Sequence, residues 1–180
     1  MTFRAHPAPA AIAALLALAA CTSGADDPEV TEPSPTGEAA GACRELADAL
    51  PERVDGEERG SAADGMEFAA TWGDPAIVLR CGVSRPALMT PGSETYDPLA
   101  EVVDVNGVSW LLEEEPDGKR FTTTGRLVFV EMTVPDAYAP EVNPLIDVAA
   151  PVDGHIPLDE LYAEPEPESD SGADSGDASG

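Results

Sequence analysis

The residues best able to do chemistry are few in this chain. Histidine occurs twice, as His6 near the start and as His155 in a Gly- and Pro-rich stretch near the end. A protein zinc site takes several His, Cys, Asp or Glu ligands, and no second histidine stands near His155 to share one. A nucleophilic serine would need that same histidine as its base, and no Gly-x-Ser-x-Gly elbow precedes it. His155 therefore reads as an exposed loop residue. No Gly-x-x-x-x-Gly-Lys loop is present to cradle a phosphate, nor a Gly-x-Gly-x-x-Gly turn after a strand. Neither a metal nor a cofactor is expected. Carboxylates are abundant, 35 against 9 basic residues, and abundance dilutes their meaning. Glu113-Glu114-Glu115 could offer oxygens to Ca²⁺, but a solvated turn that guards a sheet edge is the simpler account. An acid pair of the glycosidase kind is set by distance in space, so sequence spacing leaves it open.

Two arginines and two tryptophans are the other candidates. Arg80 and Arg126 interrupt apolar stretches of a very acidic chain. Each can pair with a nearby acid; alternatively, together they mark a cleft for a carboxylate or phosphate. Trp72 and Trp110 read as core residues on their strand faces, with an aromatic platform for a small-molecule ligand as the alternative.

The three cysteines divide in a useful way. Cys43 falls with Leu46, Ala47 and Leu50 at i, i+3, i+4 and i+7, one face of a helix that Pro51 ends. Cys81 falls with Ile77, Leu79 and Val83 on one face of a strand of period two. Both are on apolar faces, and in an exported protein such a pair is expected to form a disulfide. Two buried thiols are one alternative. A redox pair is the other, without Cys-x-x-Cys spacing to support it.

Cys21 stands elsewhere. Residues 1–7 carry Arg4 and no acid, and Ala8 to Ala20 is an apolar run too short for a membrane span but suited to a signal peptide. The run ends Leu18-Ala19-Ala20-Cys21, which resembles the bacterial lipobox, Leu-x-[Ala/Gly]-Cys. That resemblance implies cleavage before Cys21 and a thioether-linked diacylglycerol with acyl chains of the palmitate class. Lipid at Cys21 would attach the chain to the membrane, and two acyl chains anchor stably where one does not. An ordinary signal peptide with Cys21 as bystander is the alternative. The net charge of −26 makes the anchor matter, because it repels anionic lipid and nucleic acid alike.

The chain then divides into a leader (residues 1–20), the lipidated cysteine with a disordered, acidic, Pro-rich tether (21–42), one globular domain (43–162) and a disordered acidic tail (163–180). Within the domain, Cys43 to Leu50 reads as a helix and Glu52 to Gly65 as a loop. Met66 to Trp72 and Ala76 to Val83 flank Gly73-Asp74-Pro75 as paired strands. Ser84 to Pro98 reads as loop. Val102 to Leu112 is a hairpin around Asn106-Gly107, pairing Val105 with Val108 and Val103 with Trp110. Phe121 to Thr124 and Arg126 to Val134 follow as strands. Asn143 to Ala150 reads as a helix, Pro151 to Gly154 as a turn, and Leu158 to Tyr162 as a last helical turn. The fold expected is α+β: a mostly antiparallel sheet of five or six strands, with a helix at each end of the domain packed on one face and one disulfide.

The run Trp72-Gly-Asp-Pro-x-Ile-Val-Leu-Arg-Cys-Gly-Val83, the Asn106-Gly-Val-x-Trp110 turn and the Phe121-Thr-Thr-x-Gly-Arg126 stretch, with a Cys-x-x-Leu…Leu-Pro start at Cys43, resemble an actinobacterial family of secreted lipoproteins of unknown function. The likeness covers residues 43 to 150 and implies an envelope location. It implies no activity, substrate or catalytic residue. The chain thus reads as a lipid-anchored, extracytoplasmic protein, a non-enzymatic binding or accessory module meeting an envelope protein or a small molecule. A carboxylate-dependent hydrolase acting on wall glycan is the alternative.

Overall fold

The computed structural model describes residues 30–163. The expected leader, the lipidation of Cys21, the first part of the tether and the tail from residue 164 lie outside the described residues.

The architecture is α+β, as the sequence leads one to expect. Helix α1 (Gly37–Ala49) comes first, then a two-residue hairpin of β1 (Arg53–Val54) and β2 (Glu57–Glu58). Six strands follow: β3 (Ala69–Trp72), β4 (Ile77–Val83), β5 (Val102–Val105), β6 (Val108–Glu115), β7 (Gly118–Thr123) and β8 (Phe129–Pro135). Helix α2 (Asn143–His155) closes the domain. The six strands form one sheet in the order β3-β4-β8-β7-β6-β5, and every pair is antiparallel. The β3–β4 hairpin and the β5-to-β8 meander are thus joined where β8 pairs with β4.

Period-two alternation builds the core. Ile77, Leu79 and Cys81 of β4 are buried, while Val78 and Arg80 between them are half-buried on the other face. Val130, Met132 and Val134 of β8 join them in one cluster with Leu46 of α1 and Leu145, Val148 and Val152 of α2. Both helices therefore cover the same face of the sheet. Each fully buried aliphatic side chain contributes about 1.5–3 kcal/mol.

The β5–β6 hairpin has the expected register, with Val105 opposite Val108 and Val103 opposite Trp110. Its turn residues Asn106 and Gly107 have φ of 49° and 86°, the left-handed pair that a type I′ turn requires. The expected disulfide is present: Cys43 of α1 is bonded to Cys81 of β4, with Cα atoms 5.6 Å apart.

Other expectations need correction. Helix α1 begins at Gly37, not Cys43, so the expected tether does not reach residue 42. Its first turns hold only Gly, Ala and Glu38, which carry no hydrophobic period to read; buried Ala40 nonetheless extends the stripe of Cys43 and Leu46. Residues 30–36 are held too. The Glu32 carboxylate accepts hydrogen bonds from the Glu67 and Phe68 amides, and Pro35 packs on Gly82. The expected loop after Pro51 contains the β1–β2 hairpin.

Helix α2 runs through Pro151, where a turn is expected. Proline inside a helix costs about 3 kcal/mol. Continuing the helix buries Val152 and carries the chain to Ile156, both with no exposed surface, and this outweighs the lost backbone bond. The last strand begins at Phe129, not Arg126; Arg126 instead makes an isolated bridge with Leu158. Residues 158–162 form that bridge and a hydrogen-bonded turn rather than a helix, Tyr162 N donating to Asp159 O at 2.8 Å.

Candidate functional site

The two arginines do not converge. Arg80 sits opposite Glu131 across the β4–β8 ladder. Its Nη2 and Nε donate to Glu131 Oε1 at 2.6 and 3.1 Å, and its Nη1 donates to Thr31 O at 3.2 Å. Arg126 is 5 % exposed and turns toward the end of α2. Its Nη1 donates to Ile156 O at 2.7 Å and its Nη2 to Asp153 Oδ1 at 2.6 Å. Each arginine therefore has its own acid and its own backbone carbonyl. Their donors are consumed in holding strands and helix together, which is the plain ion-pair role.

The tryptophans are not a platform. Both have no exposed surface. Trp72 Nε1 donates to Pro51 O at 3.0 Å, and the Arg59 guanidinium lies 5.0 Å from its ring centroid. Trp110 Nε1 has no partner among the described residues. His155 is the last residue of α2, not a loop residue, and its Nδ1 lies 3.9 Å from Glu45 Oε2.

The acidic triplet of β6 is neutralised across the β6–β7 hairpin. Arg120 meets Glu113 and Glu115, and Lys119 Nζ reaches Glu114 at 2.9 Å. Strand β5 begins at Val102, opposite Leu111, so no strand lies beside the triplet's outer side among the described residues. No group of three His, Cys, Asp or Glu side chains is placed to hold a metal ion among the described residues, and no helix there is long and apolar enough to cross a membrane.

What the structure does offer is a groove of about 410 Å³ on the sheet face away from the helices. Val78 forms its floor, with Pro75, Pro116 and Pro135 around it and Val30 and Arg80 at one end. Glu115, which ends β6, and Asp117 of the β6–β7 turn give it an acidic side. Next to it, sharing Thr31 and Arg80, is a polar hollow lined by Glu32, Ser34 and Glu131. Tyr138 braces the groove from outside, its hydroxyl donating to Pro75 O at 2.8 Å. Burial, and then the charge of Glu57, push the Tyr138 hydroxyl pKa up.

The groove's acidic side continues past the rim. Asp136 N donates to Asp117 O at 3.0 Å, placing the two residues side by side. Partial desolvation, then a hydrogen bond with Glu141 and that group's charge, hold the Asp136 carboxyl above its ordinary range. Lys119 is raised by its hydrogen bond to Glu114 and also feels Glu141 and Asp136. Sequence reading missed this groove because its prolines read only as turns and strand ends. The available signal was Val78, an apolar residue on the face of β4 turned from the core, with Ala76 just before the strand.

The family model described as "Protein of unknown function (DUF3515)" matches residues 6–161, and the chain belongs to that family. No curated protein and no solved structure matches it.

Proposed function

We propose that this protein is a lipoprotein of the cell envelope, anchored through lipid on Cys21 to the outer face of the cytoplasmic membrane, and that it serves as a non-enzymatic binding or accessory module. The division of the three cysteines supports this reading. Cys43 and Cys81 are joined, which suits an oxidising, extracytoplasmic compartment. Cys21 is left over, directly after Leu18-Ala19-Ala20 in the lipobox pattern. With a net charge of −26, the chain needs a covalent anchor to stay at an anionic membrane. An actinobacterial source fits a chain rich in Ala and Pro in which Lys119 is the single lysine and the other basic residues are all Arg.

For the binding role, the support is the exposed groove together with arginines and tryptophans already committed to structure. The test of the anchor is Cys21→Ala expressed in an actinobacterial host fed labelled palmitate. The natural chain should take up label and sediment with membranes. The variant should carry no label and be released or remain uncleaved. A variant that still fractionates as a mature membrane protein would overturn the anchor.

A further inference from the structure

The groove is apolar on its floor and acidic on one side, and the two properties together select an occupant. Glu115 is paired with Arg120, but Asp117, Asp136 and Glu141 make no ion pair among the described residues. Lys119, the cation closest in sequence to Asp117 on that side, is bonded to Glu114. At the other end, Arg80 is committed to Glu131 and Thr31. An anionic ligand would therefore meet carboxylates that have no cationic partner among the described residues, and cations already paired. A neutral acyl chain would cover the prolines but leave the acids unanswered. A second copy of this chain brings the same charge of −26 and is repelled. A basic segment answers both features: an apolar side chain covers the prolines of the groove, and its cations meet Asp117 and Asp136, which stand side by side without a basic partner among the described residues.

We propose that this groove docks a cationic segment of a partner protein. One apolar side chain sits on Pro75, Val78 and Pro135, and flanking Lys or Arg side chains reach Asp117 and Asp136. The proposal rests on the binding-module reading above but not on the lipid anchor. Free ion pairs at a rim act mainly through association rate, so binding should fall steeply with salt.

The experiment titrates the full mature chain, unlipidated and at low salt, with the synthetic peptide acetyl-Lys-Lys-Trp-Lys-Lys-amide by calorimetry. The same peptide with Ala for Trp should bind about tenfold more weakly, because the apolar contact is lost. Val78→Trp, which fills the groove, should weaken the Trp peptide by a similar factor, as should Asp117→Asn with Asp136→Asn. Changing the six acids of residues 163–180 to their amides should leave the Trp-to-Ala ratio unchanged. The peptide exchange needs no protein variant, so a misfolded mutant cannot obscure the outcome. The proposal is overturned by absence of saturable binding, by equal binding of the two peptides, or by groove variants without effect. It is equally overturned if sedimentation shows a dimer that Val78→Trp breaks, since a second copy would then be the occupant. Failure of the anchor would show separately, in the membrane fractionation of Cys21→Ala.

Discussion

Arg126 and Ile156 are joined by a 2.7 Å hydrogen bond from the guanidinium to the backbone carbonyl just past the last turn of α2. The same side chain reaches Asp153 in that turn. A buried cation thus lies at a helix C-terminus, where orphaned carbonyls and the helix dipole favour it. Arg126→Ala leaves the buried Ile156 end without its donor, so it should destabilise the fold by about 3 kcal/mol. Thermal denaturation should register a fall on the order of 10 °C. Asp153 is itself largely exposed, and Asp153→Asn should lose less than about 1 kcal/mol. Equal losses at the two positions would place the value in the ion pair rather than in the carbonyl contact.

The Cys43–Cys81 bond closes a sequence separation of 38 residues. Loop-closure entropy assigns such a bond about 4 kcal/mol. Reductant, or the double change to Ser, should lower the melting temperature by on the order of 10–20 °C. Cys21→Ser should not. Thiol titration of the unlipidated chain should find only Cys21 reactive under oxidising conditions; three reactive thiols would refute the bond.

Asp136 gives a pH dependence with a definite sign. Its folded-state pKa lies above the ordinary 3.8, so the folded protein holds this proton more tightly than the unfolded chain does. Its favourable contribution is complete below 3.8 and is lost as pH rises through the folded value. Asp136→Asn keeps the uncharged form at every pH. The variant should melt above the natural protein at neutral pH, and the gap should close as the pH falls toward the unfolded value. A gap that widens on acidification would contradict the desolvation, and after it the contact with Glu141, that raise this carboxyl.

Gly82 has φ of +87°, and a Cβ there would lie 2.7 Å from Pro35. Gly82→Val should therefore push residues 30–36 off the sheet while costing about 1–2 kcal/mol. Hydrogen exchange provides the readout. The Glu67 and Phe68 amides, bonded to Glu32 in the natural protein, should lose protection ahead of the β4 amides.

The β5–β6 hairpin and the buried face of the sheet were legible because their signals are local, whereas the two-residue strands β1 and β2 are too short to show a period. Asn106-Gly107 sets its own turn, and the alternation in β4 and β8 sets the buried face. The disulfide was legible from two cysteines that each share an apolar face with larger neighbours. The start of α1 was not, because Gly37 to Ala42 is built of small residues whose helix is stabilised by packing. Nor was the passage of α2 through Pro151. There a local rule lost to the burial of Val152 and Ile156, and to Arg126, which comes from a loop far away in sequence. The groove was assembled by tertiary structure alone: Val30, Pro75, Pro116 and Pro135 come from four separate segments.

The covalent link between α1 and β4 also decides how the domain bears mechanical load. Tension on the N-terminal end enters through residues 30–36, travels along α1 to Cys43, and crosses directly to Cys81. The end of α1, the β1–β2 hairpin, β3 and most of β4 lie between the bonded residues and carry none of that pull. Force is delivered instead at Cys81, beside Val130 of β8 and one strand in from the edge of the sheet. A chain pulled from this end should extend in two populations by single-molecule stretching, with the segment between Cys43 and Cys81 paying out only after reduction.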